Sequence, residues 1–420
     1  MRPESRSADP RLRAVTALAR VEAHGAHAAR LLGDASPAER EIVLGTLRWQ
    51  LTLDHLLAPH LRRPAAGLDP AVRAALRAGL YEALRMRTPV PVAVAEAVRV
   101  ARRLTPPAAG LVNAVLRRAA AASWPDPGDA GAPLAVRFSH PDWLVERWRS
   151  LLGEEALATV LAADQQPAPL ALLAAATRCE ELEAAGCRLV PHAVVPGVVT
   201  VAAGAEAAVA AIRAGRAYAI DATAVAVARA LPAASGLTAD LAAAPGGKSL
   251  VLALGGSHPR LFSADRNLGR VALMRRNLAG CASAPALAVA DATAVPLRRG
   301  SCAAVLVDAP CSGTGTLRRH PEIRWRLRAE DLAALAAAQR AIVRAAAPLL
   351  APGGHLLYAT CSLEPEENAE VVAGLDLEAV PVGERLPAGL PRRDLPGGGV
   401  VVPPRPDGDG FTVHLLRRPA

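Results

Sequence analysis

The sequence predicts a doubly wound, mostly parallel α/β sheet in the C-terminal half, an all-helical N-terminal domain, and a small α+β piece between them. Three observations carry this expectation. From residue 9 to 120 apolar side chains recur at helical spacing with no strand alternation. From about residue 221 short apolar runs alternate with helical stretches, the pattern of strand–helix–strand units. Residues 170–220 mix strand-like runs with one helical stretch.

The helical domain shows four stripes. They are Leu12, Val15, Leu18 and Ala19; Ile42, Val43, Leu47 and Leu51; Val72, Leu76, Leu80 and Leu84; and Leu111, Val112, Val115 and Leu116. Asp69-Pro70 before the third reads as a cap and a first-turn proline. Trp124-Pro125-Asp126-Pro127-Gly128-Asp129-Ala130-Gly131 is a run of breakers, hence a linker. Trp143, Leu144, Trp148, Leu151 and Leu152 suggest a connecting helix beyond it. Strand-like runs Leu170–Leu173 and Val198–Val201, with a helix around Glu206–Ile212, form the small piece. The sheet strands are expected at Thr238–Leu241, Leu261–Ala264, Ala286–Val289, Ala303–Val307 and His355–Tyr358. The resulting division is 1–125 helical, 126–165 linker and connecting helix, 166–220 α+β, and 221–420 doubly wound.

Composition narrows the function classes. A 52% hydrophobic content excludes a disordered chain. No run of about 18 uninterrupted apolar residues argues for a membrane span, and the charged start lacks the apolar core of a signal peptide. Six cysteines without a C-x-x-C pair suggest neither a disulfide framework nor a metal site. A reduced, cytoplasmic protein, without membrane or metal and monomeric, is the expectation. Of the 48 basic residues Lys248 is the single lysine. Residues 1–150 hold 22 Arg against 14 acids, a net +8 of the total +9. Clustered arginine suits a phosphate backbone, and a solvated helix surface in an arginine-rich chain is the other reading.

The glycine loop is the first chemical signal. The strand at Thr238–Leu241 runs into Ala242-Ala243-Ala244-Pro245-Gly246-Gly247-Lys248-Ser249 and then a helix. Glycines there let a ligand approach the backbone at a helix N-terminus. The spacing matches neither the dinucleotide fingerprint nor a Walker loop, which leaves a nucleoside-type cofactor without a large phosphate group. Asp265, Asp291 and Asp308 end the next three strands, on the sheet edge where ligands bind. Asp265, roughly 20 residues past the glycine turn, is placed to accept from both ribose hydroxyls.

Two cysteines form the second signal. Asp308-Ala309-Pro310-Cys311-Ser312-Gly313-Thr314-Gly315 follows one strand and Tyr358-Ala359-Thr360-Cys361-Ser362 another. Small, polar neighbours suit an open crevice better than a packed core, the usual place of a free cysteine.

These segments resemble the NOL1/NOP2/Sun family of ribosomal RNA cytosine-5 methyltransferases, in its bacterial NusB-fused form. The resemblance is carried by Ala243–Lys248, Asp308–Gly315, Arg318-Arg319-His320-Pro321-Glu322-Ile323-Arg324-Trp325 and Tyr358–Ser362. Phe138–Leu144 and Asp409-Gly410-Phe411 extend it, and residues 9–120 resemble the NusB-like RNA-binding module. The family implies a Rossmann-like methyltransferase that uses S-adenosyl-L-methionine on ribosomal RNA of the small subunit. Cys361 would attack cytosine C6, Cys311 would assist product release, and Asp308 would bond the base near N3 and contact the cofactor. Ala242, Ala243, Ala244, Pro245, Gly246, Gly247 and Lys248 would wrap the methionine moiety. Asp265 would hold the ribose, with Asp291 near the adenine amine.

Arg318, Arg319, Arg324, Arg326 and Arg328, just past the Cys311 loop, read as backbone-holding residues or as a solvated surface. Ile220-Asp221-Ala222-Thr223 and Leu172-Leu173-Ala174-Ala175 depart from the family pattern at positions read as RNA-facing. The rival functions are a non-catalytic RNA-binding assembly factor and methylation of another RNA, such as tRNA.

Overall fold

The computed structural model describes residues 9–125, 131–281 and 283–420. Most of the predicted linker, residues 126–130, lies outside them. The chain divides into two compact units: residues 1–166 with 317–327, and residues 167–316 with 328–420.

The first unit is helical. Its helices include Pro10–His24, Pro37–Arg48, Gln50–Leu57, Pro70–Arg85, Val90–Leu104, Ala109–Ala119, Asp142–Leu152 and Glu154–Ala163. Three of them begin alike. Asp9, Ser36 and Asp69 each accept a backbone N–H of the first turn, and each is followed by a proline whose missing N–H costs nothing there. The apolar stripes meet in two cores, one around Val15, Leu18, Ile42, Val43 and Leu47, the other around Leu53, Leu76, Leu80, Val112 and Leu116.

Residues 317–327 fold into this helical unit, which corrects the reading of Arg318 and Arg324 as RNA-holding residues. Both are 1% exposed. Arg324 Nη1 donates to Ser139 O at 3.0 Å, Arg48 Nη2 to Arg318 O at 3.2 Å, and Trp325 Nε1 to Leu47 O at 2.6 Å. Glu322 accepts from Ala28 N at 3.2 Å. Arg318 and Arg324 are buried within the helical unit, so these two are structural. Several N-terminal arginines also face inward: Arg77 binds both Asp54 oxygens at 2.7 Å, and Arg73 donates to Ala65 O and Ala66 O at 2.8 Å. Arg62, Arg63, Arg102, Arg103, Arg117 and Arg118 remain exposed.

The second unit holds two sheets. The small one is antiparallel, with β1 (Ala171–Leu173), β2 (Arg188–Pro191) and β3 (Val198–Ala203) in the order β1-β3-β2. Leu172 and Leu173 are 0% and 1% exposed and belong to apolar cores, so these two residues do not face RNA. The large sheet contains β4 (Leu237–Asp240), β5 (Arg260–Asp265), β6 (Ala286–Val289), β7 (Cys302–Asp308), β8 (Leu350–Thr360), β9 (Glu378–Val380), β10 (Arg393–Asp394), β11 (Val400–Val402) and β12 (Phe411–Arg417). Its order is β10-β11-β12-β8-β7-β4-β5-β6, with β9 beside β12. Strands β4 to β8 pair in parallel; β9 to β12 are antiparallel additions at one side.

The chain leaves β4 toward β5 and β6, then returns to the other side of β4 as β7 and β8. The strand order therefore switches between β4 and β7, and a ligand crevice forms outside the carboxyl ends of such strands. The stretch Asp331–Leu349 is long and apolar enough to cross a membrane. Here its helix buries Leu332, Ala336, Gln339, Ile342, Val343 and Ala346 and packs on β7 and β8, as a core helix of the domain.

Candidate active site

The glycine loop is shaped by close approach. After β4, Gly246 has φ +100°, and a Cβ added to it would lie 2.9 Å from Met274 Cγ. The helix Gly247–Leu254 starts there. Arg270 Nη2 donates to Ala244 O, and Asn277 Nδ2 to Pro245 O at 2.8 Å. Both donors come from helix Leu268–Leu278, so that helix pins the loop. Ile220 and Tyr218 border Gly247, each 3.2 Å from where its Cβ would stand. Asp221 caps the helix at Ala222 and accepts Asp409 N at 3.1 Å. The departure at 220–223 thus borders the glycine loop.

The acidic strand ends separate into different environments. Asp240, at the end of β4, is fully buried; burial pushes its carboxyl up to about 7 despite the Ser249 hydroxyl, which donates to Oδ2 at 2.7 Å. Asp265 is 4% exposed; it accepts Asn267 N at 2.9 Å and lies 3.5 Å from Arg270 Nη1. Asp291 is exposed, and its carboxyl is lowered chiefly by the Thr293 hydroxyl at 2.7 Å. Asp308 carries its partner across the switch point: Lys248 Nζ donates to Oδ2 at 2.6 Å. The same ammonium sits 4.8 Å from the centre of the Phe411 ring. Burial alone would lower the lysine, but the Asp308 carboxylate outweighs it and the pKa is raised.

The two cysteines meet. Cys311 follows β7, Cys361 follows β8, and their Sγ atoms are 3.3 Å apart. Hydrogen bonding to Cys361, then burial, raises the Cys311 thiol well above its ordinary value, so at neutral pH it keeps its proton. Cys361 is also among the groups whose charge acts on Lys248. The loops are locked by backbone bonds, Gly315 N to Cys361 O at 2.9 Å and Gly410 N to Gly315 O at 2.7 Å.

Three residues here were not singled out as site residues by sequence reasoning: Asp240, Tyr218 and Phe411. Asp240 stands two residues before the loop, and its place at a strand end was the available signal. The rest are brought in by tertiary contacts that no local pattern marks.

Residues 231–415 match the family model described as 16S rRNA methyltransferase RsmB/F, and residues 8–121 match the NusB family. The ribosomal RNA small subunit methyltransferase B of Thermus thermophilus is 37% identical over 434 residues, covering 98% of each chain. The chain belongs to this methyltransferase B family. The Vibrio cholerae relative is 33% identical, over 90% of this chain and 88% of its own. The fold is shared with the crystal structure of PH0851, at TM-score 0.78 and 23% identity, over 99% of this chain and 100% of that one. NSun6 from Pyrococcus horikoshii, crystallised with SFG, aligns at TM-score 0.56 and 18% identity, over 66% of this chain and 98% of its own.

As a member of the methyltransferase B family the chain is an rRNA methyltransferase with S-adenosylmethionine as donor. The residues present fit that donor. Asp240 Oδ1 is buried without a hydrogen-bond partner beside the glycine loop, an acceptor suited to an amino-acid ammonium.

Proposed function

We propose that the chain methylates C5 of a cytosine in small-subunit rRNA through a covalent adduct of Cys361. The observation that carries this reading is the 3.3 Å approach of two thiols at the ends of neighbouring parallel strands, with the Lys248–Asp308 pair beside them. Cytosine C5 is a weak nucleophile until a thiolate adds to C6. Addition forms the S–C6 bond and moves the C5–C6 π pair onto C5, which becomes enamine-like. When bound, S-adenosylmethionine supplies the electrophilic methyl group. The C5 proton then leaves to a base, its electron pair restores the C5–C6 double bond, and the C6–S bond breaks with sulfur leaving as thiolate.

The chain's own groups suit these roles. The Lys248 ammonium interacts electrostatically with Cys361. Cys311, held protonated, stands next to the departing sulfur and assists release. Asp308 bonds the base near N3, one of its oxygens being occupied by Lys248. Loop 242–248 and Asp240 hold the methionine moiety; Asp265 holds the ribose, with Asp291 near the adenine. A target base must leave its stack to enter such a crevice, so a loop or flipped nucleotide is the substrate form.

The test is a pair of variants on rRNA. Cys361→Ala should abolish methyl transfer, while Cys311→Ala should accumulate an RNA–protein adduct on a denaturing gel. Full activity of Cys361→Ala would sink the reading. Bisulfite mapping of rRNA from a strain lacking the protein locates the cytosine.

A further inference from the structure

One buried carboxylate ties both cysteine loops together. Glu367 lies in the turn after β8 and is 0% exposed. Its Oε1 accepts from Ser312 N at 2.8 Å and Gln339 Nε2 at 2.9 Å. Its Oε2 accepts from the hydroxyls of Ser312 and Ser362, both at 2.5 Å. Ser312 directly follows Cys311, and Ser362 directly follows Cys361. Gln339 also donates to Pro310 O at 2.8 Å, on the other side of Cys311. All four donors therefore sit beside a thiol or brace a residue that does. Burying a carboxylate costs several kcal/mol unless its lone pairs are filled, and a turn alone requires no such group.

We infer that Glu367 is a positioning residue that sets the spacing and orientation of Cys311 and Cys361. This rests on the two-cysteine chemistry proposed above. The inference needs no contact between Glu367 and the RNA. Its negative charge is also among the groups that keep the Cys311 thiol protonated, behind Cys361 itself and burial. One side chain thus serves geometry and protonation together.

The test uses the full chain with Glu367→Gln and, separately, Ser362→Ala. A glutamine can keep its oxygen on Ser312 N and Gln339, while its amide faces hydroxyls able to turn and accept. The fold then survives while the charge and the original bond directions are lost. The first measurement needs neither RNA nor cofactor. The protein is equilibrated with glutathione and glutathione disulfide, and the Cys311–Cys361 disulfide is quantified by peptide mass spectrometry. Glutathione disulfide is the oxidant: one thiolate displaces a glutathione thiolate, then the second cysteine displaces the other and closes the bond. The effective concentration of the pair should fall about tenfold or more in both variants, read on the folded protein.

The second measurement is single-turnover methylation, in which Glu367→Gln should prolong the adduct relative to methyl transfer. Wild-type thiol exchange and adduct lifetime in both variants would overturn the positioning role alone, provided Cys361→Ala is inactive. Should Cys361→Ala stay active, the two-cysteine reading fails while the exchange measurement still decides the positioning. If Glu367→Gln does not fold, Ser362→Ala, which removes one donor to Glu367 and the acceptor of Glu364 N, decides by the same exchange.

Discussion

Lys248 Nζ lies 2.6 Å from Asp308 Oδ2, joining the first turn after the glycine loop to the end of β7. The link spans the point where the strand order reverses, so the cofactor loop and the Cys311 strand share one ion pair. With the Phe411 ring at 4.8 Å on another side, the space suits a compact ammonium on a flexible stem. A guanidinium is planar, broader and less able to turn between those two partners. In a chain with 47 arginines, the single lysine stands here. Lys248→Arg should weaken S-adenosylmethionine binding about tenfold, or ~1.4 kcal/mol, by calorimetry. Equal affinity would make the lysine an accident of composition.

Gly315 tests how tightly the Cys311 loop packs on the turn before β12. Its backbone φ is not in the left-handed region, so conformational freedom is not the reason for glycine. Close approach is: an added Cβ would lie 2.3 Å from Gly410 O and 2.7 Å from Gly410 C. Those are backbone atoms with little room to yield. Gly315→Ala should push the Cys311 loop off the turn at Gly410 at a cost of about 1–3 kcal/mol. Loss of methyl transfer with a lowered thermal midpoint is expected, and wild-type values of both would contradict it.

Much of this was legible in the residues, for identifiable reasons. Strands β4 to β7 are short apolar runs with polar ends, and the Lys248 loop and both cysteine motifs follow strands, so order along the chain already located them. Strand β8 runs from Leu350 to Thr360, but Pro352, Gly353 and Gly354 hide its first half. Strands β9 to β11 have only two or three residues each and are defined by their pairing in the sheet. Their sequences alone carry no signal of that length. Glu367 sits in Glu364-Pro365-Glu366-Glu367, which reads as a solvated acidic turn. Its burial arises only because Ser312 and Gln339 arrive from elsewhere. Arg318 and Arg324 mislead for the same reason, since a buried arginine looks like a surface arginine in a sequence.

Arg324 separates a structural cation from an RNA-binding one. It is buried in the helical unit, donates to Ser139 O at 3.0 Å, and stands near the buried Asp164 carboxyl. Arg324→Met would leave the buried Ser139 carbonyl without that donor, and an unsatisfied buried polar group costs about 1–3 kcal/mol. The thermal midpoint should drop sharply. The salt dependence of RNA binding by the protein that remains folded should not change, because no phosphate contact is lost. A shallower salt slope at an unchanged midpoint would restore the RNA-holding role.

Asp240 predicts a pH dependence whose sign can be worked out. Burial raises its carboxyl from 3.8 to about 7 in the folded chain. The folded state therefore holds this proton over a pH range in which the unfolded chain has released it. The group's stabilising contribution is complete below pH 3.8 and is lost as pH rises to about 7. Its slope is at most about 1.4 kcal/mol per pH unit. Asp240→Asn keeps the shape and an acceptor for Ser249 but never ionises. Compared by chemical denaturation, the variant should match the wild type near pH 4, gain on it up to about pH 7, and keep a constant advantage above that. A difference that stays constant across that range would show that Asp240 is already ionised in the folded chain, held by charges stronger than its burial.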